Sequence, residues 1–340
     1  MARPRIKDVA RRAGVSEKTV SNVINDYAHV SEKTRSAVRE AIAELGYRVN
    51  LAGRHLRRGR TGIIALVVPE LTIPYFAELA TQVIRDAERR SLTVLVHQSK
   101  GSHEHELAAL DGFGFDFTDG LILSPLALTT QDIAERTGTL PTVLLGEYLE
   151  EGADHVAIDN ELAAREATEH LLALGRRSIL ALGGRDAPGT GTAEARTRGF
   201  RAALEAADIR YDPADVLPVP EYRIGDGVAA LRAVLAAGRR PDAVLCYNDL
   251  LALGALRALH EAGLRVPADV AAIGFDDVEA GRFSVPSLTT VAPDKAAVAR
   301  TAVELLVRRI EGGSRDDGPR NVVVPHRLLV RESAGPAPGR

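Results

Sequence analysis

The chain has 340 residues, 45% hydrophobic and 26% charged, with 43 Lys and Arg against 46 Asp and Glu. Such a composition excludes a disordered chain and fits a folded protein of two or three domains, and no run approaches the roughly 18 uncharged apolar residues that span a bilayer. Cys246 is the only cysteine, which excludes an internal disulfide and a cysteine-built metal cage; the start "MARPRIKDVARRAG" lacks the apolar core of a secretory leader, so a cytoplasmic location is expected.

The charge is unevenly placed. Residues 1 to 60 carry fourteen Lys and Arg against six Asp and Glu, a net of +8, while residues 61 to 340 hold 29 against 40, a net of −11. A basic head on an acidic body points to nucleic acid, because the body repels a phosphate backbone everywhere except where the head docks.

In "RIKDVARRA" (5–13) the residues Ile6, Val9, Ala10 and Ala13 recur at spacings of three and four, which predicts a short helix with an apolar inner face and a basic outer one. Gly14 ends it. Ser16 is an N-cap for "EKTVSNVIN", whose inner stripe is Val20, Val23 and Ile24. Ser31 caps "EKTRSAVREAIAELG", with Val38, Ala41, Ile42 and Leu45 inward and Gly46 as the stop. Three short helices on one small core predict a helix-turn-helix domain over residues 1–47, as an all-α unit. Its second helix would enter the major groove, so Glu17, Lys18, Ser21 and Asn22 should reach base edges.

Residues 48–60 include "NLAGRHLRRGR", which has basic side chains and no large apolar face. Alone, so short a segment is expected to be largely unfolded, as a hinge or linker.

From Thr61 apolar runs alternate with helical patterns. Strands are expected at "TGIIALVVP", "LTVLVHQS", "GLILSP", "TVLLGE", "HVAID", "SILALGG", "DAVLCYN" and "VAAIGFDD". Helices are expected at "FAELATQVIRDAERRS", "ELAAREATEHLLALG", "EARTRGFRAALEAAD", "GDGVAALRAVLAAG" and "LLALGALRALHEAG". Alternation of this kind predicts an α/β body with parallel sheets covered on both faces, and its length predicts two lobes with a cleft at the carboxyl ends of the strands.

Polar residues gather at these expected strand ends and loops: Asp159, Asn160, Arg196, Asn248, Asp249, Asp276 and Asp277. Aromatic residues do so too: Tyr75, Phe76, Tyr222, Phe275 and Phe283. Rings can cover the C–H faces of a sugar, and a carboxylate, an amide and a guanidinium can grip its vicinal hydroxyls. Asp249 precedes a helical run and is expected to be its N-cap, and Asp277 to satisfy backbone amides in its loop. The "HEHE" at 103–106 has no third ligand at a known spacing and is expected to be a solvated loop rather than a metal site. Neither GxGxxG, a phosphate loop, GxSxG nor HExxH is present, so no nucleotide site, cofactor or catalysis is expected.

The stretch "IKDVARRAGVSEKTVSNVINDYAHVSEKTRSAVREAIAELGYRVN" resembles the N-terminal signature of the LacI family of bacterial transcription regulators, along its whole length. The body resembles the periplasmic-binding-protein-like core of the same family at "VPELTIPYFAELA", "DGLILSP", "RTRGFRAAL", "YNDLLALGALRALHEAGLRVPADVAAIGFDD", "PSLTTV" and "LLVRES". The resemblance implies a ligand-binding and dimerisation core over 61–333, with three crossings between lobes. Lobe 1 would hold about 61–161 and 291–321, and lobe 2 about 162–290 and 322–333, with a disordered tail at 334–340. It implies DNA contacts from Lys7, Ser16, Glu17, Lys18, Thr19, Ser21, Asn22, Asn25, Asn50, Arg54, His55, Leu56 and Arg57. Leu56 falls at the family's minor-groove wedge, where unstacking bases costs a few kcal/mol, offset by contacts to the kinked duplex. Ligand contacts are implied for Arg196, Asn248 and Asp276, with Tyr75 and Phe76 beneath the ligand; Asp159, Tyr222 and Phe283 complete the candidate set.

Three residues depart from the family pattern. Asn22 stands where Arg is usual, so the operator sequence cannot be copied; Gly53 replaces Ala at about 1 kcal/mol of helix propensity, and Val49 replaces Pro. The implied protein is a homodimeric repressor that binds double-stranded operator DNA under control of a small molecule, a sugar by family default. The alternative is a solute-binding protein or non-catalytic sugar sensor with no operator specificity.

Overall fold

The computed structural model describes residues 4–24, 27, 29–47, 60–114, 117–136, 140–147, 152–185, 191–312 and 318–335. They form two compact units, Met1–Thr61 and Gly62–Arg340.

The first unit contains α1 (Ile6–Ala13), α2 (Glu17–Ile24) and α3 (Glu32–Leu45). Val9, Ala10, Val20, Val23, Val38 and Ala41 are buried at its centre, and Ile6, Ala13, Ile24, Ile42 and Leu45 pack around them. Gly14 ends α1 at φ 68°, a left-handed turn that glycine adopts without strain. Ser16 accepts the backbone N–H of Thr19 at 3.1 Å, and Ser31 that of Thr34 at 3.3 Å. The hydrophobic spacing and both caps therefore specify this unit as read from the sequence.

The second unit holds two six-stranded sheets. The first takes the order β11, β5, β4, β3, β1, β2, from β1 (Ile63–Val68), β2 (Thr93–Gln98), β3 (Gly120–Leu123), β4 (Thr142–Leu145), β5 (Asp154–Ile158) and β11 (Asn321–Val324), all parallel. Its helices are α4 (Pro74–Glu88), α5 (His103–Leu110) and α6 (Thr130–Ala134), joined by α12 (Lys295–Ile310), which packs on α4. The second takes the order β12, β10, β9, β8, β6, β7, from β6 (Ile179–Gly184), β7 (Val216–Pro218), β8 (Ala243–Cys246), β9 (Ala271–Phe275), β10 (Thr289–Pro293) and β12 (His326–Leu329). Here β12 runs antiparallel to β10 and the rest are parallel. It carries α7 (Asn160–Ala173), α8 (Thr192–Ala206), α9 (Ile224–Ala236), α10 (Asp249–Glu261) and the short α11 (Glu279–Arg282). Ile64, Leu66 and Val68 of β1 with Ile273 and Phe275 of β9 are buried in one cluster, because strands covered on both faces must be apolar throughout.

The chain crosses between sheets three times. β10 stays in the second sheet to Pro293 and β11 in the first to Val324, so the last two crossings fall at Asp294 and Pro325, a few residues past the expected 291 and 322.

One expectation is overturned outright. His103 to Glu106 are not a solvated loop but the start of α5, with Glu106 fully buried. Its carboxyl group accepts backbone N–H groups from Leu126, Ala127 and Leu128 at 2.9 to 3.1 Å and the Ser99 hydroxyl at 3.3 Å, so the buried polar group is partnered. His103 pairs with Asp132 at 2.9 Å, and His105 lies 3.0 Å from the Ser99 carbonyl. No described helix is long and apolar enough to cross a membrane.

Candidate ligand cleft and DNA-facing helix

On α2 the residues Glu17, Lys18, Ser21 and Asn22 occupy one arc, while Val20 and Val23 turn inward to the core. Lys7, Ser16, Glu17 and Lys18 are exposed, and Thr19, Ser21 and Asn22 half-buried. The hydroxyl of Ser16 is already in use as a cap, 2.9 Å from that of Thr19. Asn25, Asn50, Arg54, His55, Leu56 and Arg57 lie outside the described residues.

In the second unit a cleft of about 430 Å3 opens where strands of both sheets end. Its walls follow β1 (Glu70), β3 (Ser124), β4 (Glu147), β6 (Arg185), β8 (Tyr247 and Asn248) and β9 (Asp276), the place that parallel sheets offer a ligand. Of the eight candidate residues it gathers six: Tyr75, Phe76, Arg196, Tyr222, Asn248 and Asp276.

Pro74 opens α4, and the next two side chains, Tyr75 and Phe76, meet edge to face at 5.3 Å. Burial raises the Tyr75 hydroxyl pKa, so the ring stays neutral. On α8 the Arg196 guanidinium donates from Nε to Asn160 Oδ1 at 3.0 Å and from Nη1 to the Tyr247 carbonyl, and lies 4.2 Å from the centre of the Phe275 ring. These contacts hold its planar fork in one orientation. Tyr222 donates its hydroxyl to the Gly183 carbonyl, which leaves the ring as part of the wall.

Asp276 differs from its neighbours. Its backbone N–H bonds to Val291 O at 2.8 Å and it holds φ 105°, yet its buried carboxylate makes no hydrogen bond to any described residue. Burial raises its pKa, and the charges of Arg196 and Lys295 oppose that rise. A buried carboxylate with cationic neighbours and open acceptor sites is suited to hydroxyl or N–H donors from a bound molecule.

Four readings need correction. Asp159 does not reach the cleft: it is the exposed N-cap of α7, accepting Leu162 N–H at 2.9 Å, and the next residue, Asn160, lines the wall instead. Phe283 also lies elsewhere, 78% exposed at the end of α11. The cap of α10 is Asn248, which accepts Leu251 N–H at 2.8 Å and donates to the Tyr222 carbonyl at 2.9 Å, because its backbone is extended while Asp249 is already helical. Asp249 is instead buried, accepting from Thr290 at 2.6 Å and from Val278 N–H at 2.8 Å. Asp277 serves not loop amides but two guanidinium groups, those of Arg282 and Arg331, each at 2.6 Å.

Sequence reasoning missed Glu147 and Thr192. Glu147 follows β4 in the first lobe, and its carboxylate accepts the Thr192 N–H and hydroxyl of the second lobe. Glu70 reaches Arg223 across the same cleft. No local signal marks such pairs, since each joins segments far apart in sequence.

A model of "Bacterial regulatory proteins, lacI family" matches residues 5–50, and one of "Periplasmic binding protein-like domain" matches 168–334. The ribose operon repressor of Halalkalibacterium halodurans is 33% identical over 328 residues, 96% of each chain. Among solved structures, a complex of the transcriptional regulator CelR with cellobiose is 34% identical, with a TM-score of 0.71, covering 97% of this chain and 100% of that one. The lac repressor dimer bound to operator and the anti-inducer ONPF is 28% identical, with a TM-score of 0.85, covering 98% of this chain and 99% of that one.

Proposed function

The chain belongs to the LacI family of bacterial regulatory proteins, and from that premise we propose that a small carbohydrate in the cleft controls its hold on operator DNA. It is a transcriptional repressor of that family with a helix-turn-helix head. On this reading it works in the cytoplasm as a homodimer whose two heads meet two half-sites of a near-palindromic operator, and performs no catalysis. Glu17, Lys18, Ser21 and Asn22 read bases, Lys7, Ser16, Thr19 and Asn25 support them, and residues 48–60 act as the hinge, with Asn50, Arg54, His55, Leu56 and Arg57 toward DNA. The cellobiose held by the CelR structure supports a sugar as the ligand class.

The observation that carries the reading is the Asp276 carboxylate, buried beside Arg196 and without a hydrogen bond from the described residues. Removing water from it costs several kcal/mol unless donors arrive, and vicinal sugar hydroxyls supply them. Tyr75, Phe76 and Tyr222 give the apolar cover for the ring. Ligand closing the lobes would shift the first lobes of the two protomers against each other, and the coupling can be no larger than the ligand's preference for one lobe arrangement.

Thermal shift with a panel of mono- and disaccharides, cellobiose first, tests this: a ligand at 100 times its Kd stabilises by about 2.7 kcal/mol. A response equal in wild type and Asp276→Ala would refute the assigned site.

A further inference from the structure

Several polar ties join the two lobes, and they differ in where they stand. The pairs Glu70 with Arg223 and Glu147 with Thr192 belong to the cleft wall. Another lies behind it. Lys295, the first residue of α12 in the first lobe, donates from Nζ to the Asp277 carbonyl of the second lobe at 3.2 Å and to the Glu78 carboxylate on α4. Its side chain is 12% exposed, and its ammonium stands 5.8 Å from the centre of the Tyr75 ring.

Asp276 and Asp277 are adjacent but serve opposite sides. Asp276 lines the ligand cleft, whereas Asp277 lines a hollow of about 660 Å3 behind it, together with Lys295 and Glu78. Both hold positive φ, 105° and 50°, in a region that non-glycine residues occupy only where their surroundings fix them. The surroundings here are the bonds from Arg282 and Arg331 to Asp277, which anchor the turn in the second lobe. A displacement of Asp276 by what it binds must therefore reach the Asp277 carbonyl, one peptide away. Glu78 in turn lies one helical turn after Tyr75 on α4, so the helix whose first turn lines the cleft is also held from behind.

We propose that Lys295 is a positioning residue that couples the ligand-facing Asp276 to helix α4, through the Asp277 carbonyl on one side and the Glu78 carboxylate on the other. The Lys295 charge also acts on Asp276 itself, second to Arg196 among the cations that oppose its raised pKa. What seats on Asp276 is read by α4 as a change in this tie. The inference rests on the effector reading only for its consequence at DNA; the tie exists without ligand and is tested without one.

The test uses the full chain, ligand-free, with spin labels at the exposed positions Glu104 on α5 and Ala229 on α9. The wild type should give one narrow distance distribution. Lys295→Met should broaden it toward longer distances and raise amide exchange at least threefold in residues 75–79, and Lys295→Arg should restore both. Glu78→Gln keeps the bond to the Asp277 carbonyl, so it should raise exchange in α4 while leaving the lobe distance unchanged. If the methionine variant does not fold, Lys295→Gln takes its place and should show the α4 effect alone. Unchanged distance and exchange in a folded Lys295→Met or Lys295→Gln protein overturn the proposal. Loss of thermal stability with neither change assigns Lys295 a structural role only and overturns it equally. Failure of every sugar to shift the wild type would count against the effector reading instead, and would leave these outcomes readable.

Discussion

Glu147 of the first lobe and Thr192 of the second are joined twice, the carboxylate accepting the backbone N–H at 2.7 Å and the hydroxyl at 2.8 Å. The contact lies at the start of the 15-residue helix α8, where the helix dipole favours a negative charge. Gly191 makes the approach possible, since a Cβ there would stand 2.1 Å from Glu147 Oε2.

Gly191→Ala should therefore push the carboxylate aside and loosen the tie between the lobes. Charge-assisted bonds are worth about 1.5–3 kcal/mol when well shielded, and less at this half-exposed site, so ligand release should quicken by about tenfold. Stopped-flow release of a bound sugar checks this, and an unchanged rate would show that the clasp does not hold the lobes.

The raised pKa of Asp276 gives ligand affinity a pH dependence. The ionised carboxylate accepts hydroxyl donors, so binding should weaken as pH falls through the raised value, earlier than for an ordinary carboxylate near pH 3.8. Calorimetry between about pH 7 and pH 4.5 should show falling affinity in the wild type. A flat profile would mean that Asp276 does not carry the contact.

Asp249 has a pKa raised well above normal, first by burial and then by the nearby Asp276 charge. Its ionised form is thus disfavoured in the fold, a cost to stability that is relieved as pH falls through the folded value. Asp249→Asn, its oxygen accepting Val278 N–H and its amide N–H donating to the Thr290 hydroxyl, should unfold within about 1 kcal/mol of wild type at pH 7, whereas Asp249→Leu, which strands Val278 N–H, should lose roughly 2–5 kcal/mol. Denaturant unfolding at two pH values decides; equal losses in both variants would mean that the charge itself is needed.

The Asn248–Asp249 pair shows what the sequence could and could not convey. Either residue type caps a helix, and only the backbone, extended at φ −154° for Asn248, selects one. Most expected strands were legible because they are buried on both faces, as in β1 and β9, while the largely exposed β2 was legible by its apolar Val94, Leu95 and Val96 alone. β10 was not, because its fully buried Thr289 and Thr290 look polar until Arg331 O and Asp249 are seen to take their hydroxyls. Short β7, β11 and β12 leave too little pattern for period-two reading. In the cleft, Arg196 and Asp276 were found through resemblance, whereas Glu147 and Thr192 become partners only when the two lobes are assembled.

Phe283, absent from the cleft and 78% exposed, and Val285, 96% exposed, stand two residues apart on the second lobe. Exposed large apolar side chains are candidates for association, and in the proposed homodimer a second copy of the chain is the partner. Phe283→Asp should weaken self-association at least tenfold in sedimentation equilibrium while leaving thermal stability of the monomer within about 0.5 kcal/mol. An unaltered dimer would place the interface elsewhere.

Occupancy of the cleft should govern the grip on DNA, and anisotropy of labelled DNA from upstream of the chain's own gene measures that coupling. The full chain and Arg196→Ala are titrated with and without a sugar that shifts the wild-type melting point. The sugar should change wild-type DNA affinity by about tenfold or more, a coupling of about 1.4 kcal/mol, while Arg196→Ala should bind DNA normally and not respond. A variant that responds at the wild-type sugar concentration, or a wild type whose DNA affinity ignores a sugar bound in the cleft, would contradict that coupling.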